Sequence, residues 1–492
     1  MGQDLGLPTT AVADRILGRR DQEHAMSIEI ETDYLVVGAG AAGMAFTDAL
    51  LTQSDATITI VDRRHAPGGH WIDAYPFVRL HQPSAFYGVA SVPLGSDAID
   101  QSGPNAGFYE LASADELRTY YAQLMQRRFV ASGRVRFFPC SDYIGGEADR
   151  HRFVSRLTGT AHEVRVRRKL VDTSYLEGSI PATSAPPFEV AEGVRCIPAG
   201  SVTQITQQPK QIVIIGAGKT AMDTCVWLQT NGVPASAIRW IKPREGWWLN
   251  RRYYQPHTYL PDFYAGVGKQ VQAIAEATSM DDLFDRLEAD EIFLRVDRSV
   301  RPTMMHGAIV SETEVALLRQ IKEVVRLGHV RRIESDRIVL DDGVVPTGHD
   351  AIYVHCAARG LPRPALRPIF EADRITVQPM FWGFASFQFA LLGVVESMIE
   401  AVEDKNRLCR PIAYWDGNAD YLTAYLALMA AERARNAHPA LAAWARDTRL
   451  HPMGSLAQHR DSPTVVEARE CIKRFGAAAA GNLVRLLSVR SG

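Results

Sequence analysis

Two stretches of the chain repeat one pattern of apolar and polar positions. Tyr34-Leu35-Val36-Val37 is a continuous apolar run that stops at Gly38-Ala39-Gly40-Ala41-Ala42-Gly43, and helix-compatible residues from Met44 to Leu51 follow. Far downstream, Gln211-Ile212-Val213-Ile214-Ile215 stops at Gly216-Ala217-Gly218-Lys219-Thr220-Ala221, and Met222 to Gln229 follow. Short β-rich apolar runs without alternation fit strands that are covered on both faces, as in a parallel sheet. Each unit closes with another such run, Thr57 to Val61 in the first and Ile238 to Ile241 in the second. Strand, glycine turn, helix and strand make a βαβ unit. Two of them predict an α/β chain with two Rossmann-like dinucleotide-binding domains.

The remaining pattern fills in around these units. Ala114 to Phe129 reads as a helix, and Arg134 to Leu170 as β-rich. A Pro/Ser-rich connector runs from Ile180 to Pro187. Residues 256–330 are mostly helical in pattern and look like an insertion or lid. Arg332 to Val345 alternates like a hairpin around Asp341-Asp342-Gly343, Ala351 to Val354 is a buried-strand candidate, and the tail from Ala419 is alanine-rich and helical. The expected layout is a disordered extension over 1–28, a first dinucleotide domain over 29–205, a second over 206–350 with a helical insertion, a return to the first over 351–415, and a helical C-terminal extension over 416–492.

Composition narrows the partners. Across 492 residues the formal net charge is -2, so no basic excess points to nucleic acid or an anionic membrane, and a small molecule is the expected partner. The longest apolar stretch, Phe381 to Val395, is interrupted by Gly, Ser and Gln and falls short of the ~20 residues of a membrane span. The six cysteines stand singly, with no Cys-x-x-Cys pair and no zinc-like cluster, which fits reduced thiols in a cytoplasm and predicts no metal. Oligomeric state is not legible.

At the first loop each glycine has a physical task. Gly38 permits the tight turn, Gly40 lets the backbone approach a diphosphate, and Gly43 lets helix and strand pack closely. The helix N-terminus then faces the diphosphate with unpaired N–H groups. Asp62 ends the second strand, where a carboxylate can take the ribose hydroxyls, and Arg63 beside it joins the expected cofactor set. This loop is first in the chain and is followed by Gly68-Gly69-His70-Trp71, which resembles the GGxW segment of flavin-containing and Baeyer–Villiger monooxygenases; the position and the resemblance together imply FAD here, with Gly69 and Trp71 alongside it.

The second loop differs where selectivity is decided. Its second strand ends not in an acid but in Ile241-Lys242-Pro243-Arg244. Cations there suit a 2′-phosphate that a carboxylate would repel, which favours NADPH over NADH. Gly216, Gly218, Lys219, Thr220, Lys242 and Arg244 are therefore the expected NADPH residues; the competing reading of Lys242 and Arg244 is a solvated basic turn. Lys219 lacks the phosphate-loop spacing, so nucleotide triphosphate hydrolysis is excluded.

The order of the two loops and the segment Gly68 to Trp71 resemble the flavin-containing and Baeyer–Villiger monooxygenases, the class B flavoprotein monooxygenases. The resemblance covers the layout of residues 33–400 and is specific at the two glycine loops and Gly68 to Trp71. It implies that NADPH reduces FAD and that O2 then adds to the flavin as a C4a-(hydro)peroxide that oxygenates a small organic substrate. Two departures stand out. The family's F-x-G-x-x-x-H linker is absent, with Phe188 to Gly193 in its place, and His81 stands where the flavin-containing branch has an asparagine two residues before a proline. His81 and Gln82 are the candidate catalytic pair at the flavin, against a purely structural histidine. No cysteine occurs in Tyr75 to Ser84, which argues against a dithiol reductase. The alternatives are an FAD-dependent reductase, dehydrogenase or oxidase without oxygen transfer, and a dinucleotide sensor without turnover.

Overall fold

The computed structural model describes residues 28–488 apart from 176, 359, 361 and 382. Residues 1–27 of the expected N-terminal extension thus lie outside the described residues, and Ile28, its last residue, opens the first strand.

The first apolar run becomes strand β1 (Ile28–Val37), which turns through the glycines into helix α1 (Ala41–Gln53) and back into β2 (Ile58–Val61). A capping box at Ser113 starts α2 (Ala114–Leu124), where the Ser113 and Glu116 side chains satisfy each other's backbone N–H groups. β3 (Val135–Phe138), β4 (Ser141–Glu147), β5 (Arg150–Ser155) and β6 (Ala161–Asp172) complete the domain. The sheet order is β3-β2-β1-β6-β5-β4, with β1, β2, β3 and β6 parallel and β4 and β5 antiparallel. The long strand β6 thereby joins the nucleotide half of the sheet to a meander.

The second domain has a purely parallel sheet. β7 (Glu189–Val190) and β8 (Cys196–Pro198) precede β9 (Gln211–Ile215), helix α3 (Lys219–Thr230) and β10 (Ile238–Ile241). The insertion follows: β11 (Trp248–Asn250), α4 (Leu260–Glu276), α5 (Met280–Ala289), β12 (Phe293–Leu294), β13 (Ile309–Val310) and α6 (Glu312–Leu318). Residues 256–330 are less helical than expected, because β12 and β13 within them pair with β11, which precedes them, in a small sheet of their own. β14 (Glu323–Val325) rejoins the main sheet, and β15 (Val330–Ile333), β16 (Arg337–Leu340) and β17 (Gly343–Pro346) form a meander where a single hairpin was expected. β18 (Ala351–His355) then pairs with β9, giving the order β14-β10-β9-β18-β8.

The chain therefore crosses back to the first sheet not at 351 but at β19 (Arg374–Thr376), which pairs with β6. β8 likewise belongs to the second sheet, so that domain extends beyond 206–350 at both ends. Short buried strands carry no mark of which sheet they join; only pairing assigns them. After β19, α7 (Ala385–Met398) packs along α1. α8 (Val402–Leu408) leads into the helical extension of α9 (Asn418–Asn436), α10 (Pro439–Asp447) and, after a short turn, the 26-residue α11 (Pro463–Ser488), which lies along α4. One continuous apolar core runs from α1 and α7 through the insertion to α9, α10 and α11, so the extension buries its face against both domains.

Candidate functional site

The first glycine turn is built to let backbone approach backbone. Gly43 packs so closely beneath the turn that a Cβ there would collide with the Gly38 carbonyl. Gly69, at φ +58°, faces Gly40 across the turn, and a Cβ on it would stand 2.8 Å from the Gly40 Cα. α1 begins with neither a side-chain cap nor an acid in its first turn, so its N-terminal N–H groups face outward unneutralised. That is the chemistry a diphosphate requires.

Asp62 is buried and fixed at this turn. One carboxylate oxygen accepts from the Ala39 N–H at 2.6 Å and the other from the Arg64 N–H at 2.7 Å. Each oxygen keeps a lone pair for a further donor such as a ribose hydroxyl. Arg63 is half-exposed and ion-paired with Glu177, while Arg64 pairs with Asp73 at 2.8 Å. Trp71 is buried, and its indole Nε1–H donates to the Tyr87 hydroxyl at 3.0 Å. The turn that carries Gly69 is thereby locked onto the following segment.

The second turn repeats the device with different surroundings. α3 also starts without a side-chain cap or an acid in its first turn. A Cβ on Gly218 would meet nothing within 4 Å, so the protein's own packing does not demand glycine there. Lys219 opens the helix, with Thr220 next to it; the Lys219 ammonium pairs with Asp223 and, at 3.2 Å, with Glu314 from α6. Glu314 is also held by Arg251 at 2.8 Å. Burial alone would raise the Glu314 pKa, but Lys219 and Arg251 outweigh it and bring it down to about 2. Two cations and two carboxylates thus neutralise one another in a seam where an unpaired charge would cost several kcal/mol, on the order of 3–5.

The first domain reaches into the same seam. The Tyr75 hydroxyl donates to Asp223 at 2.7 Å, and Phe77 stacks on Trp227 of α3 with ring centroids 4.8 Å apart. His81 Nδ1 accepts from the Ile309 N–H at 3.3 Å. Burial, then Lys219 and Arg251, push its pKa down to about 3, so the ring is neutral at physiological pH. With Nδ1 accepting, the proton sits on Nε2, which is left as a donor. Gln82 beside it is buried. His81 therefore stands next to the charges of the second glycine turn.

The cations expected at the end of β10 take separate paths. Lys242 is fully buried, paired with Glu245 at 2.5 Å and lying 4.4 Å over the Trp240 ring. Arg244 turns away to a two-pronged pair with Asp416, at 3.0 and 2.6 Å. In their vicinity the tertiary structure brings up Arg326, which follows β14 and pairs with Asp297 at 2.8 Å and Glu245 at 3.4 Å. None of the described residues forms a cluster of three or more His, Cys, Asp or Glu able to hold a metal. No described helix is long and apolar enough to cross a membrane.

Residues 36–88, which carry the first turn, Asp62 and Gly69 to Trp71, match the family described as an NAD(P)-binding Rossmann-like domain. An uncharacterized protein of Mycobacterium tuberculosis is 44% identical over 394 residues, covering 80% of this chain and 72% of the relative. A Mycobacterium bovis protein matches to the same extent. The chain belongs to the family of these mycobacterial proteins. Similar solved structures include a flavin-containing monooxygenase from Stenotrophomonas maltophilia, with 16% identity, TM-score 0.41 and coverage of 84% of this chain and 99% of that one. They also include the bacillithiol disulfide reductase of Staphylococcus aureus, with 11% identity, TM-score 0.38 and coverage of 67% and 77%.

Several residues of the site had no sequence signal of their own. Glu314 is legible as the fourth residue of a capping box begun by Ser311, which marks a helix start and says nothing of Lys219, 95 positions away. Tyr75, Tyr87 and Arg326 acquire their places only through long-range packing.

Proposed function

We propose that the chain is an FAD- and NADPH-dependent oxidoreductase, and that it works as a monooxygenase on a small organic substrate. The observation that carries this reading is the contrast between two uncapped glycine turns. One is closed by the acid Asp62, and the other is bordered by cations after β10 and β14. FAD at the first turn supplies two-electron and oxygen chemistry, and NADPH at the second supplies hydride.

The chain's own residues have definite tasks. The turn from Gly38 to Gly43 and the N-terminus of α1 hold the flavin nucleotide's diphosphate, and Asp62 accepts its ribose hydroxyls. The turn from Gly216 and the N-terminus of α3, with Lys219, hold the diphosphate of the nicotinamide nucleotide. His81 contributes a neutral N–H donor in the seam, and its lowered basicity keeps it from adding a charge there. Tyr75 and Phe77 join the first domain to α3 across the seam through Asp223 and Trp227.

A dithiol route has no support in the thiols. Burial raises Cys196 to about 11 and Cys356 and Cys409 to about 12, so they stay protonated and unreactive. The test is NADPH oxidation by the purified protein supplied with FAD, under air and under nitrogen, with product analysis. Oxygen-dependent NADPH loss matched by an oxygenated organic product is the expected result. Hydrogen peroxide as the sole product, across a panel of ketones, amines and sulfides, identifies an oxidase instead.

A further inference from the structure

A cavity of about 500 Å³ opens beside the second glycine turn. Its floor is the carboxyl end of the parallel sheet. The Trp240 indole donates to the Gly216 carbonyl at 2.8 Å, and the Lys242 N–H donates to the Val325 carbonyl at 2.9 Å. The first residue of the turn, the end of β10 and the end of β14 are therefore adjacent, where open α/β sheets bind nucleotides. The walls come from the insertion, over Val296 to Arg298, and from the passage between α6 and β14.

Five cations line the cavity: Lys242, Arg298, Arg319, Lys322 and Arg326. Two of them are already matched, Lys242 by Glu245 and Arg326 by Asp297 and Glu245. Arg298, Arg319 and Lys322 have no carboxylate in ion-pair contact among the described residues and are exposed at the mouth. Arg319 donates to the backbone carbonyls of Val296 at 3.0 Å and Arg295 at 2.8 Å, and Lys322 donates to the Arg319 carbonyl at 2.9 Å. These bonds tie the insertion loop to the end of α6, so the rim is set before a ligand arrives. The volume falls in the range that takes up a nucleotide-sized group.

We propose that this cavity seats the adenosine 2′-phosphate of the nicotinamide nucleotide, and that Arg298, Arg319 and Lys322, rather than Lys242 and Arg244, select the phosphorylated form. The inference rests on the reading of the second turn as a nicotinamide nucleotide site. A phosphate monoester dianion meets three cations that no contacting carboxylate neutralises, each able to donate charge-assisted hydrogen bonds. Lys242, buried on its own acid, serves to keep Glu245 from repelling the phosphate. Arg244, held by Asp416, tethers the turn to the helical extension.

The experiment is titration calorimetry of the full-length protein with adenosine 2′,5′-bisphosphate, adenosine 5′-monophosphate and inorganic phosphate, each alone. It compares the native chain with an Arg298→Ala/Lys322→Ala variant, whose two sites are exposed, and with Arg244→Ala. The native chain is expected to favour the bisphosphate over the monophosphate by at least about tenfold for each cation engaged. The double variant, which keeps Arg319, is expected to lose about tenfold of that preference for each cation removed, and Arg244→Ala to keep all of it. A preference undiminished in the double variant overturns this assignment and leaves the nicotinamide reading standing. A native chain that binds both nucleotides equally overturns the assignment together with NADPH selectivity, and one that binds neither overturns the nucleotide reading itself. Inorganic phosphate binding as tightly as the bisphosphate makes the cavity a free-phosphate site and likewise overturns the assignment.

Discussion

Gly69 lies against Gly40 so closely that a Cβ on Gly69 would stand 2.8 Å from the Gly40 Cα. Gly69 also holds a left-handed backbone, at φ +58°. Gly69→Ala therefore adds a conformational cost of about 1–2 kcal/mol and a steric push on the very turn assigned to the diphosphate. The expected outcome is protein purified with less than half the flavin of the native chain, measured as the ratio of flavin to protein absorbance. Unchanged flavin content would show that the two turns have room to separate.

The Asp62 carboxylate ties the Ala39 and Arg64 amides together, one on each oxygen. Asp62→Ala leaves both donors without that acceptor, at about 1–3 kcal/mol for a buried group. Flavin content and thermal stability should fall together. Added FAD should restore stability less than it does in the native chain, since the proposed ribose acceptor is lost as well. Full rescue by FAD would confine Asp62 to a structural role.

His81 couples stability to acidity. Its pKa in the folded chain is about 3 against an ordinary 6.5, first because it is buried and then because Lys219 and Arg251 lie near. Above 6.5 the folded and unfolded chains both hold it neutral. Below 6.5 the unfolded chain takes up a proton that the folded chain refuses until about 3, so stability declines as pH falls through that window. Around pH 5 the contribution is about 2 kcal/mol. Urea unfolding of the native chain and of His81→Gln, followed from neutral to mildly acidic pH, should show a shallower decline in the variant. Parallel curves would remove the buried neutral imidazole from the account.

Arg449 fastens the helical extension to the first domain. Its guanidinium donates to the backbone carbonyls of Ala85, of Tyr87 at 2.6 Å and of Val92 at 3.1 Å. That loop follows His81 and Gln82, and Tyr87 in it holds Trp71. Arg449→Ala should destabilise the protein by about 2–4 kcal/mol, because three carbonyls lose a charged donor. Limited proteolysis should release the C-terminal extension first. A native digestion pattern would show that apolar packing along α4 suffices to hold it.

Much of this fold can be read along the chain, and the reasons are local. A run such as Ile212 to Ile215 has no alternation because both faces of its strand are covered, and Gly216 after it, at φ +140°, marks a turn that other residues cannot follow without strain. Asp62 is legible as the last residue of its strand. The membership of Ala351 to His355 in the second sheet is not, because any buried parallel strand has the same composition and only its partner distinguishes it.

The charges divide in the same way. Lys219, Lys242 and Arg244 are evident as cations near a predicted phosphate site, but a cation's availability depends on its counter-charge. Glu314 lies 95 positions from Lys219 and Asp416 lies 172 from Arg244, while Glu245, three residues from Lys242, pairs with it only because both are buried. By itself the sequence determined the two glycine turns, the strands and helices on either side, and the acid that separates one turn from the other, since these follow from backbone sterics and short-range periodicity. Only the tertiary structure decided which cations remain free, that His81 is neutral, and that Gly69 closes on Gly40. Burial and charge pairing are properties of the space between distant segments.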